Sequence, residues 1–174
     1  MIACDFFSVE TVFLRRLYAL VFIELATRKV YLAGVTANPT GEWAAQQARN
    51  IIETFIDRSE PIRFLIHDRD SRFTAGFDEV FRSEAIRIIR TPVRAPRANA
   101  FIERWIGSIR RECLARLLIL NRRHLEHVLP AYITTTTATA LTARSTSDHQ
   151  SCANQCRPAR PILTASDAAT SSED

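Results

Sequence analysis

Three runs rich in β-branched and aromatic residues crowd the first 36 positions of this chain: Ile2–Val9 (IACDFFSV), Leu17–Glu24 (LYALVFIE) and Val30–Thr36 (VYLAGVT). Polar Ala26–Thr27–Arg28–Lys29 lies between the last two, enough for a turn and little more, which predicts a hairpin. Asn38–Pro39–Thr40–Gly41 then breaks the pattern, and Thr40 or Gly41 caps a helix to about Asp57 whose apolar face carries Trp43, Ala44, Ala48, Ile51, Ile52 and Phe55. Further on, Ile62–His67 reads as a short strand, Thr74–Ala85 as a helix with Phe77, Val80 and Phe81 inward, and Ile86–Ile89 as another strand. Past a Pro-containing loop over Thr91–Arg97, Ile102, Ile106, Ile109, Cys113 and Leu117 recur every three or four residues, predicting a helix from about Ala98 to Leu117. Asn121 caps a last helix over Arg122–Tyr132. The order β-β-β-α-β-α-β-α-α specifies an α/β protein, a mixed five-stranded sheet flanked by helices.

The chain changes character after Ile133. Of the 41 residues from 134 to 174, 23 are Thr, Ala or Ser, and only Leu141, Ile162 and Leu163 are large and apolar. So little apolar surface does not offset the entropy of ordering, so residues 1–133 are expected to form the folded domain and 134–174 a disordered low-complexity tail. Residues 1–133 hold 20 of the 23 basic groups against 15 acidic ones, so the basic character belongs to the folded part. No apolar run reaches the roughly 18 residues a membrane span requires, and Asp5 interrupts any signal-peptide layout. Cysteines 4, 113, 152 and 156 lack a disulfide-like pattern. A cytoplasmic protein with reduced thiols and no membrane partner is the expectation.

Three carboxylates occupy positions that a core-forming chain avoids. Asp5 interrupts an apolar strand, Asp68 ends FLIHD, and Glu103 stands in the helical turn beside the Ile102–Ile106 stripe. A charge in such a place is costly unless it is paired or binds metal. Taken together, Asp5 in IACDFFSV, Asp68 in FLIHDRDSRFT and Glu103 in RAPRANAFIERW resemble the acidic triad of DDE transposase and integrase catalytic cores. These are bacterial insertion-sequence transposases and, more distantly, retroviral integrases, within the ribonuclease-H-like superfamily. D-R-D-S-R-F fits the family's D-[NRG]-G-[ST]-x-F stretch except that Asp70 replaces Gly, and Asn99-Ala100-Phe101-Ile102-Glu103 fits N-A-x-x-E. Between Asp68 and Glu103 lie 34 residues, one fewer than the family spacing, whereas counting from Asp70 would leave 32.

The resemblance implies a ribonuclease-H-like fold and metal-dependent phosphoryl transfer on DNA. Asp5, Asp68 and Glu103 would be at once the catalytic residues and the ligands of two divalent cations, Mg²⁺ or Mn²⁺, which favour hard oxygen donors. It also implies DNA partners (transposon ends and target), with water first exposing a 3′-hydroxyl that then joins to the target strand, and a homo-oligomer or an intact transposase copy as a protein partner. Residues 90–123 add nine Arg against Glu103 and Glu112, a charge balance suited to phosphate contacts. The DNA-binding candidates are Arg94, Arg97, Asn99, Arg104, Arg110 and Arg111. Arg110 stands where relatives often carry a basic residue, while Gly107 replaces another such position. Two other functions share the acidic residues: a non-catalytic DNA-binding or heteromerising remnant, and a ribonuclease-H-like nuclease.

Other features are read as structural. His67 is expected to pack at its strand end, Trp105 to pack against the sheet, and Asp78, Glu79 and Glu84 to form the solvated side of their helix. The H-x₂-C-x₃-C spacing of His149, Cys152 and Cys156 lacks a fourth ligand for zinc. Family members usually carry a helix-turn-helix region before the core and close it with a helix bearing Y-x-x-H-Y-N-x-x-R-P-H-R-A-L, so the chain is read as truncated. Tyr132 and Ile133 open that motif and the match then stops. Loss of one base from codons for D-H-Y-N-S-H-R-P-H-R-A yields T-T-T-T-A-T-A-L-T-A, which is Thr134–Ala143 as it stands; the tail is therefore expected to be a frameshift product.

Overall fold

The computed structural model describes residues 1–56, 61–91 and 100–136. Strands β1 (Ile2–Glu10), β2 (Arg16–Glu24) and β3 (Val30–Thr36) form an antiparallel meander, followed by helix α1 (Gly41–Ile56), β4 (Phe64–His67), α2 (Ala75–Ser83), β5 (Arg87–Arg90) and α3 (Ala100–Glu112). A final helix, α4, occupies residues 122–136. The sheet order is β3-β2-β1-β4-β5. Helical crossovers make the β1/β4 and β4/β5 pairs parallel, while the short turns keep β1/β2 and β2/β3 antiparallel. This is the mixed α/β sheet that the order of apolar runs specifies.

Alternation along β1 divides the core into two layers. Ala3, Phe7 and Val9 face Ile102, Trp105, Ile106 and Ile109 of α3 and Leu125 and Leu129 of α4. Ile2 and Cys4 face Ala44, Ala48, Ile51 and Ile52 of α1 and Phe77 and Phe81 of α2. Covered on both sides, β2 is apolar almost throughout, with Ala19, Leu20, Val21 and Phe22 wholly buried. The α1 layer comes close enough to β3 that a Cβ on Gly34 would stand 2.8 Å from Gln47 Oε1. Both expected caps form: the Trp43 N–H donates to Thr40 Oγ1 at 3.2 Å, and the His124 N–H to Asn121 Oδ1 at 2.9 Å.

Three expectations are corrected. Helix α3 stops at Glu112 instead of continuing to Leu117, giving way to a 3₁₀ turn over Leu114–Arg116 and extended Leu117. The reason is tertiary: Ile119 is buried beside the end of β1, and its carbonyl accepts the Val12 N–H at 2.8 Å. Secondly, α4 does not end at Tyr132. Residues 134–136 stay helical, with the Thr134, Thr135 and Thr136 hydroxyls donating to the carbonyls four residues back, so the expected boundary at Ile133 is not a helix end; the rest of the tail lies outside the described residues. The third correction is Asp78, which is fully buried and not on a solvated side.

Candidate active site

Asp5 lies mid-way along central strand β1, on the face it shares with Ala3 and Phe7 and hence towards α3. The parallel β1/β4 ladder pairs Ile2 with Leu65 and Ala3 with Ile66. Continued two residues, that register sets Asp5 level with Asp68, the first residue beyond β4. Glu103 is exposed in the first turn of α3. The middle of β1, the end of β4 and the first turn of α3 therefore bring the three predicted carboxylates into one neighbourhood.

The electrostatics of Asp5 register that convergence. Partial burial pushes its carboxyl up to about 7, aided next by Asp68 and also by Glu103 and Asp70, while the Phe6 N–H donating to Oδ1 at 2.7 Å acts in the opposite sense. Asp68 is held by a tight turn: its Oδ1 accepts the Asp70 N–H at 3.0 Å, and Asp70 Oδ1 accepts the Arg72 N–H at 2.9 Å. Asp70, standing where the family motif has Gly, is paired with Arg72 at 3.5 Å and adds a fourth carboxylate. The donor set fits a hard divalent cation, because a half-buried carboxylate facing like charges is what such an ion relieves. Among the described residues, however, no three His, Cys, Asp or Glu side chains stand at metal-ligand spacing.

Behind Asp68 lies a second polar cluster. His67 is buried with its ring between Phe73 and Phe77. Its Nδ1 lies 2.6 Å from the Asp68 carbonyl and its Nε2 3.0 Å from Asp78 Oδ1. Arg90, the last residue of β5, and Arg82 reach Asp78 Oδ2, and the Thr91 N–H donates to the His67 carbonyl at 2.9 Å. The cluster ties the ends of β4 and β5 to α2 at the point where Asp68 leaves the sheet. His67 is the packed strand-end residue that its position suggested; Asp78 is a support that sequence reasoning missed. Its one local cue was adjacency to inward-facing Phe77.

The arginines do not form one patch. Arg104, Arg110 and Arg111 are exposed on α3, as are Arg116, Arg122 and Arg123 further on. Arg110, seven residues from Glu103, projects from the same flank, and Arg104 from another. Arg90 is committed to Asp78, and Arg122 to Glu126 at 2.7 Å. Arg94, Arg97 and Asn99 lie outside the described residues, as do His149, Cys152 and Cys156. Trp105 packs against the sheet, edge-on to Phe7, and burial pushes the Cys4 and Cys113 thiols up; both are free. Among the described residues no helix is long and apolar enough to cross a membrane.

The fold is a ribonuclease-H-like α/β architecture, shared with solved catalytic domains of transposases and integrases. The catalytic domain of Mos1 mariner transposase superposes with a TM-score of 0.61 at 12% identity, over 76% of this chain and 69% of that one. The HTLV-2 integrase catalytic core in its trimeric, magnesium-bound form gives 0.51 at 13% identity, over 80% of each chain. A chain of the simian T-cell lymphotropic virus intasome gives 0.53 at 14% identity, over 63% of this chain, which spans 38% of the viral one. No family model and no curated protein matches the sequence.

Proposed function

We propose that the chain carries the site for divalent-metal-dependent phosphoryl transfer on DNA, hydrolysing a 3′ end and joining it to a target strand. The observation that carries this reading is Asp5: a half-buried carboxyl on the central strand, pushed up to about 7 by burial and by Asp68, with Glu103 adding to the effect. A chain built only for stability would place no carboxylates together there. Asp5, Asp68 and Glu103 would hold the cations, which when bound supply positive charge to the attacking and leaving oxygens. Asp5 would contribute a ligand from the central strand β1. Asp68 contributes one oriented by its turn and by His67 behind it. Glu103, on the exposed first turn of α3, would complete the set, and Arg110 and Arg111 offer phosphate contacts along α3. Arg94, Arg97 and Asn99, outside the described residues, are DNA-binding candidates in this reading from the sequence alone.

The test is strand joining with Mn²⁺ on a radiolabelled duplex, with Glu103→Gln as control. Joined products that vanish in the variant establish strand transfer. Metal-dependent cleavage without joining assigns a nuclease, and DNA binding without turnover by folded protein assigns a non-catalytic remnant. The reading of the tail as a frameshift product has its own check. Nucleotide sequence across codon 133 should run on in the alternate frame as H-Y-N-x-x-R-P-H-R-A-L, and an early stop there would refute it.

A further inference from the structure

Nine large apolar side chains stand exposed among the described residues, and six of them belong to two short segments: Val12, Phe13 and Leu14 in the β1–β2 turn, and Leu117, Leu118 and Leu120 beyond the 3₁₀ turn. The segments touch. The Val12 N–H donates to the Ile119 carbonyl at 2.8 Å, and Val12, Leu117 and Leu118 line one recess of about 360 Å³. A second recess, about 470 Å³, opens against α4, with Val128 and Ala131 in its lining. Arg116 and Leu117 line both, which makes the two recesses one groove. Single exposed hydrophobics are ordinary, whereas a contiguous group of them marks an interaction surface. The turn adds a second sign. It is closed by the Thr11 N–H donating to the Arg15 carbonyl at 2.9 Å and the Arg15 N–H to Thr11 Oγ1 at 3.1 Å, and Leu14 sits at φ 57° within it. Leucine is strained at that φ where glycine or asparagine is not, so folding gives no reason for an apolar side chain that is 85% exposed.

The charges beside these side chains are unbalanced. Exposed Arg15, Arg116 and Arg123 have no ion-pair partner among the described residues. The neighbouring carboxylates are already engaged: Glu10 with Arg16 at 3.0 Å, Glu126 with Arg122 at 2.7 Å, and Glu112 with the Tyr132 hydroxyl at 2.8 Å. We infer that the groove docks an acidic amphipathic segment of another protein, in its simplest form a helix. Its apolar stripe would enter the two recesses over Leu117 and Leu118, and its carboxylates would face Arg15, Arg116 and Arg123. A second copy of the chain docked through the same face would set arginine against arginine. A bilayer surface, flat on this scale, would fill neither recess, and a DNA backbone has no apolar face for Phe13 and Leu118. The surface uses none of Asp5, Asp68 and Glu103 and stands independently of the activity proposed for them.

The experiment is fluorescence anisotropy of the full chain with a labelled synthetic helix carrying Leu at i, i+3, i+4 and i+7 and Glu at the remaining positions. One control helix has Lys for every Glu, and a second peptide of the original composition has its leucines spread around the helix. The acidic helix should bind saturably and both controls at least tenfold more weakly. Phe13→Ser and Leu118→Ser, at side chains 73% and 78% exposed, should each weaken it at least fivefold without moving the melting temperature; should one of them unfold, the other decides. Arg116→Gln should weaken binding and flatten its salt dependence, and Ile89→Thr, at an exposed apolar position on β5, should leave it unchanged. Equal binding of the spread-leucine peptide would reduce the surface to charge alone, and equal binding of the Lys helix to apolar contact alone. Co-sedimentation with phosphatidylserine vesicles that Leu14→Ser abolishes would give the patch to a membrane, and a dimer that Leu118→Ser dissociates would give it to a second copy. Each of these, like the lack of saturable binding by the acidic helix, overturns the inference.

Discussion

Asp5 and Asp78 are both carboxylates in apolar elements, barely a strand apart, and the fold treats them in opposite ways. Asp78 is wholly buried yet meets His67, Arg82 and Arg90. Asp5 is only half-buried, accepts one backbone N–H, and otherwise faces Asp68, Glu103 and Asp70. Burial alone therefore does not mark a functional charge. The company does: opposite charges make Asp78 a fastening, whereas like charges add to the cost of ionising Asp5.

The largest test of this contrast removes the fastening. Asp78→Ala leaves His67 and Arg90 with unpaired donors and should cost about 3–5 kcal/mol in urea unfolding; a loss below about 1 kcal/mol would erase the distinction. Asp5→Asn should act in the other direction. The folded carboxyl titrates near 7 and the unfolded one near ~3.9, so between those values the folded state holds a proton that the unfolded state has released. Stability is thus fully present below about pH 4, falls as pH rises towards 7 at up to about 1.4 kcal/mol per unit, and is flat above. Asp5→Asn, which cannot ionise, should gain about 2–4 kcal/mol over the parent at pH 8 and almost nothing at pH 4. A parent that grows steadily more stable from pH 4 to 8 would contradict this. Mn²⁺ at pH 8 should raise the melting temperature of the parent and leave that of Asp5→Asn unmoved. Glu103→Gln, on an exposed turn, should change stability by less than about 0.5 kcal/mol while abolishing joined product. Smallest of all, Arg110→Ala should reduce the salt dependence of DNA binding by about 0.9 in log–log slope, one phosphate contact.

The sequence made Asp5 conspicuous and hid Asp78, for the same physical reason. Strand alternation is local, so a carboxylate between Cys4 and Phe6 breaks a pattern that eight residues suffice to display. The meander was legible likewise, because polar 26–29 leaves the chain no course but to turn. Asp78, beside Glu79 and four residues before Arg82, has the signature of a solvated helix face. Its deciding partners His67 and Arg90 are 11 and 12 residues away, at the ends of two strands. The end of α3 was hidden similarly. Cys113 and Leu117 prolong the helical spacing, and only the demand of the β1 end for Ile119 shows that the chain must leave the helix first. The carboxylate cluster itself was legible as three separate anomalies; that Asp70 joins it required the turn geometry around Asp68.

The parallel pairing of β1 with β4 has a consequence in time. β1, β2 and β3 can zip together through neighbouring turns, but Ile2 finds Leu65 only after the 62 residues between them close into a loop. Such closure is entropically costly and slows folding. Asp5 is accordingly set in its meander early, and Asp68 takes its place beside it only when the distant crossover docks. A newly made chain is therefore expected to pass through a stage in which it has a sheet but no acidic cluster.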